Sequence, residues 1–204
     1  VSTKDDILGA ASCTTNAIVP VLKVLNDEYG IISGHIETVH AYTNDQNLLD
    51  NFHEKSRRGR SAALNLVITE TGAGKAVGQI LPELKGKLTA NAIRVPTPNV
   101  SLAIMKLNLG KSMGATELND FLRQIAFHSK YKDQIDFTNS NEIVSSDFVG
   151  NRYAGIIDSA ATICNENHAI LYVWYDNEFG YTVQLLGLAK EMVGLTYKRY
   201  PEYQ

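Results

Sequence analysis

Ala11-Ser12-Cys13-Thr14-Thr15-Asn16-Ala17-Ile18-Val19-Pro20-Val21 sets a cysteine among four small polar side chains and then passes at once into an apolar pattern. Ala17, Val21, Val24 and Leu25 recur at spacings that share one face of a helix. Pro20 is expected in the first turn, where its missing N–H costs little. Cys13 then lies at or just before a helix N-terminus, where unpaired N–H groups and the partial positive charge of the helix favour an anion. A thiol so placed is expected to ionise more easily than a free one, and the thiolate is the reactive form. Taken alone, such a cysteine is most often a small inert side chain buried behind a helix cap.

Working outward, the helix is expected to run from Thr14 or Thr15 to about Tyr29, closed by Gly30. Residues 5–10 before it read as a short entry segment, and Ile31–Thr43 after it as a turn and then a strand carrying His40. Asn44–Arg60 is a polar, charged loop with one apolar cluster at Leu48-Leu49. A brief apolar run follows over Ala63–Thr69, then a helix over Gly72–Leu81 stopped near Pro82. Leu88–Val95 and Val100–Leu109 read as strands, and a change of apolar parity inside the second suggests a bulge or burial on both faces. Thr116 is a candidate cap for a helix striped by Leu118, Phe121, Leu122 and Ile125. Ile143–Phe148 reads as a strand. Tyr153–Cys164 and His168–Tyr175 read as a hairpin around Asn165-Glu166-Asn167, and Asn177 as the opening of a last helix. Hairpin-linked strands with separate helices predict an α+β fold with a mixed, largely antiparallel sheet.

The chain has 204 residues, 44% hydrophobic and 20% charged, enough for one sizeable domain. Its formal net charge of −3 gives no electrostatic case for nucleic acid or an anionic membrane as partner. There is no secretory pattern and no apolar run long enough to span a bilayer. Two cysteines, outside any CxxC or zinc pattern, make no disulfide framework and suit a reducing cytoplasm.

A cysteine and a histidine distant in sequence can meet as nucleophile and base. Five segments carry that pairing further: Ser12-Cys13-Thr14-Thr15-Asn16, Val39-His40-Ala41-Tyr42-Thr43-Asn44-Asp45-Gln46, Thr71-Gly72-Ala73, Arg94-Val95-Pro96-Thr97 and Trp174-Tyr175-Asp176-Asn177-Glu178-Phe179-Gly180-Tyr181. In this order they resemble the C-terminal catalytic domain of phosphorylating glyceraldehyde-3-phosphate dehydrogenases, over nearly the whole chain. The resemblance implies helices packed on one face of the sheet, Cys13 as nucleophile and His40 as base. It implies Thr43 and Arg94 at the phosphate of the sugar, and Ser12, Thr14, Thr71 and Gly72 at inorganic phosphate. Of the basic cluster Arg57-Arg58-Gly59-Arg60, the spacing to Thr71 places Arg60 on the arginine that assists these sites, with Asp45 a polar contact near the same pocket. Asn177 matches the residue that binds the nicotinamide carboxamide, with Tyr181 near it. His35, His53, His128, His168 and Cys164 match no family motif. Ala17 stands where many members have a second cysteine, and Asp50-Asn51-Phe52 lacks a Leu-Pro pair common in relatives that prefer NAD.

The same resemblance implies oxidation and phosphorylation of D-glyceraldehyde 3-phosphate to 1,3-bisphosphoglycerate in glycolysis. The reaction passes through a thiohemiacetal and a thioester, in a cytoplasmic homotetramer using NAD, with NADP open. No Gly-x-Gly-x-x-Gly fingerprint of a dinucleotide-binding Rossmann domain occurs in the chain. The chain is therefore expected to be a fragment: residues 1–176 a catalytic, oligomerising domain, and residues 177–204 a helix and tail that pack on a separate N-terminal nucleotide-binding domain. By itself it is expected to lack dehydrogenase activity. Erythrose-4-phosphate dehydrogenase, a nucleotide-independent Cys–His hydrolase and a non-catalytic assembly module are the alternatives.

Overall fold

A computed structural model describes residues 7–195. Residues 5 and 6 of the expected entry segment and residues 196–204 of the expected tail lie outside them. The leading helix, α1 (Cys13–Tyr29), begins one residue earlier than its apolar pattern suggests. Ser12 is its cap, with extended backbone and Oγ accepting from Thr15 N at 3.1 Å. Pro20 consequently falls two turns into the helix rather than in its first turn. There its missing N–H leaves the Asn16 carbonyl without its intrahelical donor. Gly30, at φ 70°, closes the helix with its N–H on Asn26 O at 3.0 Å.

The chain then enters β1 (Ile31–Ala41) directly. After the long loop come β2 (Val67–Thr69), α2 (Ala73–Ile80), β3 (Leu88–Val95), β4 (Ser101–Leu109) and α3 (Ala115–His128). Then follow β5 (Ile135–Thr138), β6 (Gly155–Asp158), β7 (Ile163–Asn165), β8 (His168–Tyr175) and α4 (Phe179–Met192). One sheet takes all the strands in the order β2-β3-β1-β4-β8-β6-β5, with β7 also on β8. β1–β3 and β5–β6 are parallel and the other pairs antiparallel, so the mixed, largely antiparallel α+β reading stands. Ala17, Val21, Val24 and Leu25 of α1 are buried in one core with Val77 of α2, Leu118 and Leu122 of α3, and the sheet residues Ile36, Met105, Leu107, Leu171 and Val173. That core puts α1, α2 and α3 on one face of the sheet. Gly155 is needed here for close approach: a Cβ on it would lie 2.8 Å from both Ala17 O and Val173 Cγ1.

Several expectations shift. β4 has no bulge. Its register with β8 runs unbroken from Ser101 to Asn108, and Ser101, Ala103, Met105, Leu107 and Leu109 alternate into the core. The parity change reflects apolar residues on both faces, because Leu102 and Ile104 are half-buried on the far side. Part of that far face is covered by residues 139–153, where Phe148 stacks on Trp174 at 5.6 Å. The expected strand at Ile143–Phe148 is therefore a loop with a 3-10 turn over Ser145–Phe148, while β5 was not expected. Gly114, not Thr116, precedes α3. The long first arm of the hairpin is two short strands, and the tight turn is Glu166-Asn167, with Glu166 at φ 55°. Asp176, not Asn177, caps α4: its Oδ1 accepts from Glu178 N at 3.0 Å and Phe179 N at 2.8 Å. Gly180 is the buried residue of α4, while Phe179, Leu185, Leu186 and Met192 are exposed.

Candidate active site

Five chain segments converge on one cavity of 420 Å3, among them the long loop through Lys55 and Arg58. The cap and first turn of α1 supply Ser12, Cys13, Thr14 and Thr15, and the cap and first turn of α2 supply Thr71, Gly72, Ala73 and Ala76. The ends of β1 and β3 supply Thr38, His40, Ala92 and Arg94. Two helix N-termini thus open on the same space, each offering unpaired N–H groups to an anion. Thr71 Oγ1 accepts from Ala73 N at 3.2 Å, so the hydroxyl sits over the start of α2.

Cys13 is the first residue of α1, and its Sγ lies 3.6 Å from His40 Nε2. The strand alternation that buries Ile36 and Thr38 also turns His40 inward, where it is 7% exposed. His40 Nδ1 is 2.7 Å from Ala41 O. Arg94 Nη1, a donor only, stands 3.2 Å from the same nitrogen, but the carbonyl is nearer and can only accept, which assigns the proton to Nδ1 and leaves the Nε2 lone pair facing the thiol. β1 and β3 run parallel with His40 beside Arg94, whose Nη1 donates to Ala41 O at 3.1 Å and to Thr43 Oγ1 at 3.0 Å. Arg94 Nε and Thr38 Oγ1 are buried without a partner among the described residues. Orphaned donors of this kind lining a cavity suit an oxyanion ligand.

Burial and charge set the protonation of the pair. Desolvation lowers His40 to about 4, and the Arg94 and Arg58 guanidinium groups push the same way against the raising effect of the Ala41 carbonyl. The imidazole is therefore neutral at pH 7. Desolvation also raises Cys13, outweighing hydrogen bonds from Thr14 and the charge of Arg94. The expected easy ionisation of a thiol at a helix N-terminus is thus reversed by its depth. The resting pair is thiol and neutral imidazole, and sulfur needs His40 to take its proton.

The cluster in the long loop is also corrected. Arg60 points outward, its side chain 64% exposed and its Nε on Asp50 Oδ2 at 2.9 Å. Arg58 is the arginine that lines the cavity. It is 7% exposed, donates from Nε to Thr69 Oγ1 at 2.9 Å and from Nη2 to Glu70 O at 3.3 Å, and pairs through Nη1 with Asp45 Oδ2. A 3-10 turn over Ser56–Gly59 directs Arg58 inward, a local register that spacing to Thr71 does not reveal. Asp45 does not line the cavity. Its carboxylate holds Arg58 and faces His53 Nε2 at 3.6 Å.

Thr14 is buried, with Oγ1 2.8 Å from the hydroxyl of Tyr175. Tyr175 is buried and stands edge-on to His40, ring centroids 6.1 Å apart. Asn177, also buried, receives Ser101 Oγ on its Oδ1 at 2.9 Å, which leaves Nδ2 as a donor with no acceptor among the described residues. Tyr181 is half-buried on α4 and outside the Cys13 cavity. The site thus brings together Cys13, His40, Ser12, Thr14, Thr71, Gly72 and Arg94, with Thr43 held by Arg94. It leaves Arg60 and Tyr181 apart. Arg58, Ser101 and Tyr175 were missed; Tyr175 was legible only as part of a motif, and Ser101 carries no signal until β4 is placed between β1 and β8.

The domain family described as "Glyceraldehyde 3-phosphate dehydrogenase, C-terminal domain" matches residues 12–177. A glyceraldehyde-3-phosphate dehydrogenase-like protein of Pseudomonas aeruginosa (strain UCBPP-PA14) is 62% identical over 201 residues, 98% of this chain and 44% of that protein. Glyceraldehyde-3-phosphate dehydrogenase 2 of Trichormus variabilis is 45% identical over 185 residues, 90% of this chain and 54% of that protein. Glyceraldehyde-3-phosphate dehydrogenase 1 of Bacillus subtilis (strain 168) is 45% identical over 185 residues, 90% of this chain and 55% of that protein. The chain spans about half the length of these relatives. Among the described residues no helix is long and apolar enough to cross a membrane.

Proposed function

Because the chain belongs to the glyceraldehyde-3-phosphate dehydrogenase family through its C-terminal domain, we propose that it supplies the thiol, base and phosphate sites of a phosphorylating aldehyde dehydrogenase. The observation that carries this reading is the 3.6 Å approach of Cys13 Sγ to His40 Nε2 inside a cavity faced by two helix N-termini and two arginines, Arg58 buried and Arg94 half-buried. The substrates are D-glyceraldehyde 3-phosphate and inorganic phosphate. Arg94, Thr43 and Arg58 receive the phosphate of the sugar, and Ser12, Thr14, Thr71 and the Gly72 backbone receive the inorganic one. A Cys–His hydrolase would leave these donors unexplained.

In the first step Cys13 Sγ bonds to the aldehyde carbon, while His40 Nε2 takes the thiol proton and returns it to the new alkoxide, giving a thiohemiacetal. His40 Nε2 then takes the hydroxyl proton as hydride leaves that carbon, which becomes a thioester. A bound nicotinamide supplies the hydride acceptor, and Asn177 Nδ2, free to donate, suits its carboxamide oxygen. Phosphate oxygen next bonds to the acyl carbon and the C–S bond breaks, the proton held on His40 Nε2 passing to Sγ, which returns Cys13 as thiol and His40 as neutral base and leaves an acyl phosphate. His40, neutral at pH 7, begins each cycle in the form that accepts a proton.

We infer further that residues 1–176 form the catalytic, self-associating unit, and that residues 177–204 dock on an N-terminal nucleotide-binding domain using NAD, with NADP also open. The apolar side chains left exposed on α4 support that docking. The whole protein works as a homotetramer in the cytoplasm, in glycolysis. The test compares this chain with its assembly with the nucleotide-binding half. Phosphate-dependent nicotinamide reduction is expected in the assembly, lost in Cys13→Ser and absent from this chain alone. Turnover that survives Cys13→Ser refutes the reading, and preference for erythrose 4-phosphate moves the substrate to the four-carbon sugar.

A further inference from the structure

β4 lies between β1 and β8 in the sheet and runs antiparallel to both, so the start of β4 meets the ends of the other two. Ser101, 1% exposed, occupies that junction directly opposite Tyr175. Its Oγ accepts from Ala41 N at 3.1 Å and donates to Asn177 Oδ1 at 2.9 Å. A hydroxyl has one proton. With an N–H pointing at its oxygen from one side, that proton is directed to Asn177 Oδ1, while the Tyr175 hydroxyl also lies in hydrogen-bonding reach of Ser101. Two separate parts of the site are fixed by this one group. Ala41 is the residue whose carbonyl holds His40 Nδ1 and so aims Nε2 at Cys13. Asn177 has its amide oxygen held by Ser101, which leaves Nδ2 without an acceptor among the described residues.

We propose that Ser101 is a positioning residue that couples the aim of His40 to the orientation of the Asn177 carboxamide. The proposal rests on the reading of His40 as base and Asn177 as the nicotinamide-facing residue. No bond to Ser101 is made or broken in the reaction. Its hydroxyl sets where the base points and which end of the amide is offered. The other charged and polar groups around the pair include Arg94 from β3, Lys55 and Arg58 from the long loop, Glu70 before α2, and Thr14 and Tyr175. None of these is hydrogen-bonded to both Ala41 N and Asn177. Tyr175 completes the connection on its other side, through Thr14, to the helix turn that carries Cys13.

The test is the rate of Cys13 alkylation by iodoacetamide against pH in this chain, read by peptide mass so that Cys164 is counted separately, together with the side-chain amide NMR signals of Asn177. Ser101→Ala is expected to slow alkylation near neutral pH by roughly threefold to tenfold, the worth of one positioning hydrogen bond. It is also expected to shift the Asn177 amide signals toward those of an unrestrained amide. His40→Gln is expected to slow alkylation more. If Ser101→Ala does not fold, Ser101→Cys, close in size and weak in hydrogen bonding, carries the same expectation. A normal rate in the Ser101 variant beside a slowed His40→Gln overturns the proposal and leaves His40 as base. Normal rates in both overturn the base assignment and the proposal with it. A slowed rate with unmoved Asn177 signals breaks the coupling and overturns the proposal as well.

Discussion

Acidification is expected to unfold this chain partly through His40, and the size of the effect follows from its burial. Folded His40 binds its proton only near pH 4, whereas an unfolded chain binds it near 6.5. Between those values the unfolded state carries more protons, so stability rises with pH and is lost as pH falls. From pH 7 to pH 4.5 the loss from this one residue comes to about 2.4 kcal/mol. With a side chain 7% exposed, little of that is screened by solvent. The assay is urea unfolding at the two pH values, followed by the fluorescence of the single tryptophan, Trp174, which is stacked on Phe148. His40→Gln provides the comparison. Contributions common to both proteins cancel in the difference. The unmodified chain should lose about 2 kcal/mol more than the variant over this interval. Equal losses, within roughly 0.5 kcal/mol, would refute the claim that burial and two arginines keep the imidazole neutral.

Phosphate should slow iodoacetamide alkylation of Cys13; this protection should vanish in Arg58→Ala and persist in Arg60→Ala, and the reverse order restores Arg60 to the site. Asp176→Ala removes the acceptor of Asn99 Nδ2, Gly150 N, Glu178 N and Phe179 N, so thermal denaturation should show a loss of about 2–4 kcal/mol. A loss below about 1 kcal/mol would mean that water replaces the carboxylate at these donors. Gly155→Ala drives a methyl against Ala17 O and Val173 Cγ1 and should cost about 1–3 kcal/mol by chemical denaturation. A neutral result would show that α1 can move off β6.

The helices and most strands were legible because their apolar periodicity is local. Ala17, Val21, Val24 and Leu25 mark the buried face of α1 whatever the strands do, and Leu118 and Leu122 do so for α3. Errors fall where another segment decides. Ile143–Phe148 has the side chains of a strand, but Phe148 is drawn onto Trp174 and the backbone turns. Arg58 and Arg60 are alike as residues, and a 3-10 turn with Asp45 on one and Asp50 on the other sorts them. The Cys13 thiol illustrates the same limit for chemistry. Its helix position is visible in sequence and favours the thiolate, but the depth that raises it depends on β1, β3 and α2 together.

The arginines proposed to receive phosphate also act on the proposed base. Arg94 and Arg58 both depress His40, and Arg94 lowers Cys13. A phosphate dianion bound between them offsets their charge, which raises both groups. Shifts of like sign on donor and acceptor largely cancel for proton transfer from Sγ to Nε2, so attack by sulfur is little altered. They do not cancel at the next step, where the proton arrives at Nε2 from the substrate hydroxyl as hydride departs. There a higher affinity of Nε2 favours the product side. On the proposed mechanism, bound phosphate thus strengthens His40 for the oxidation while leaving thiol attack nearly unchanged. Titration of the His40 ring by NMR should accordingly move to higher pH in phosphate and not in chloride of equal ionic strength; identical midpoints would place the anion away from Arg94 and Arg58.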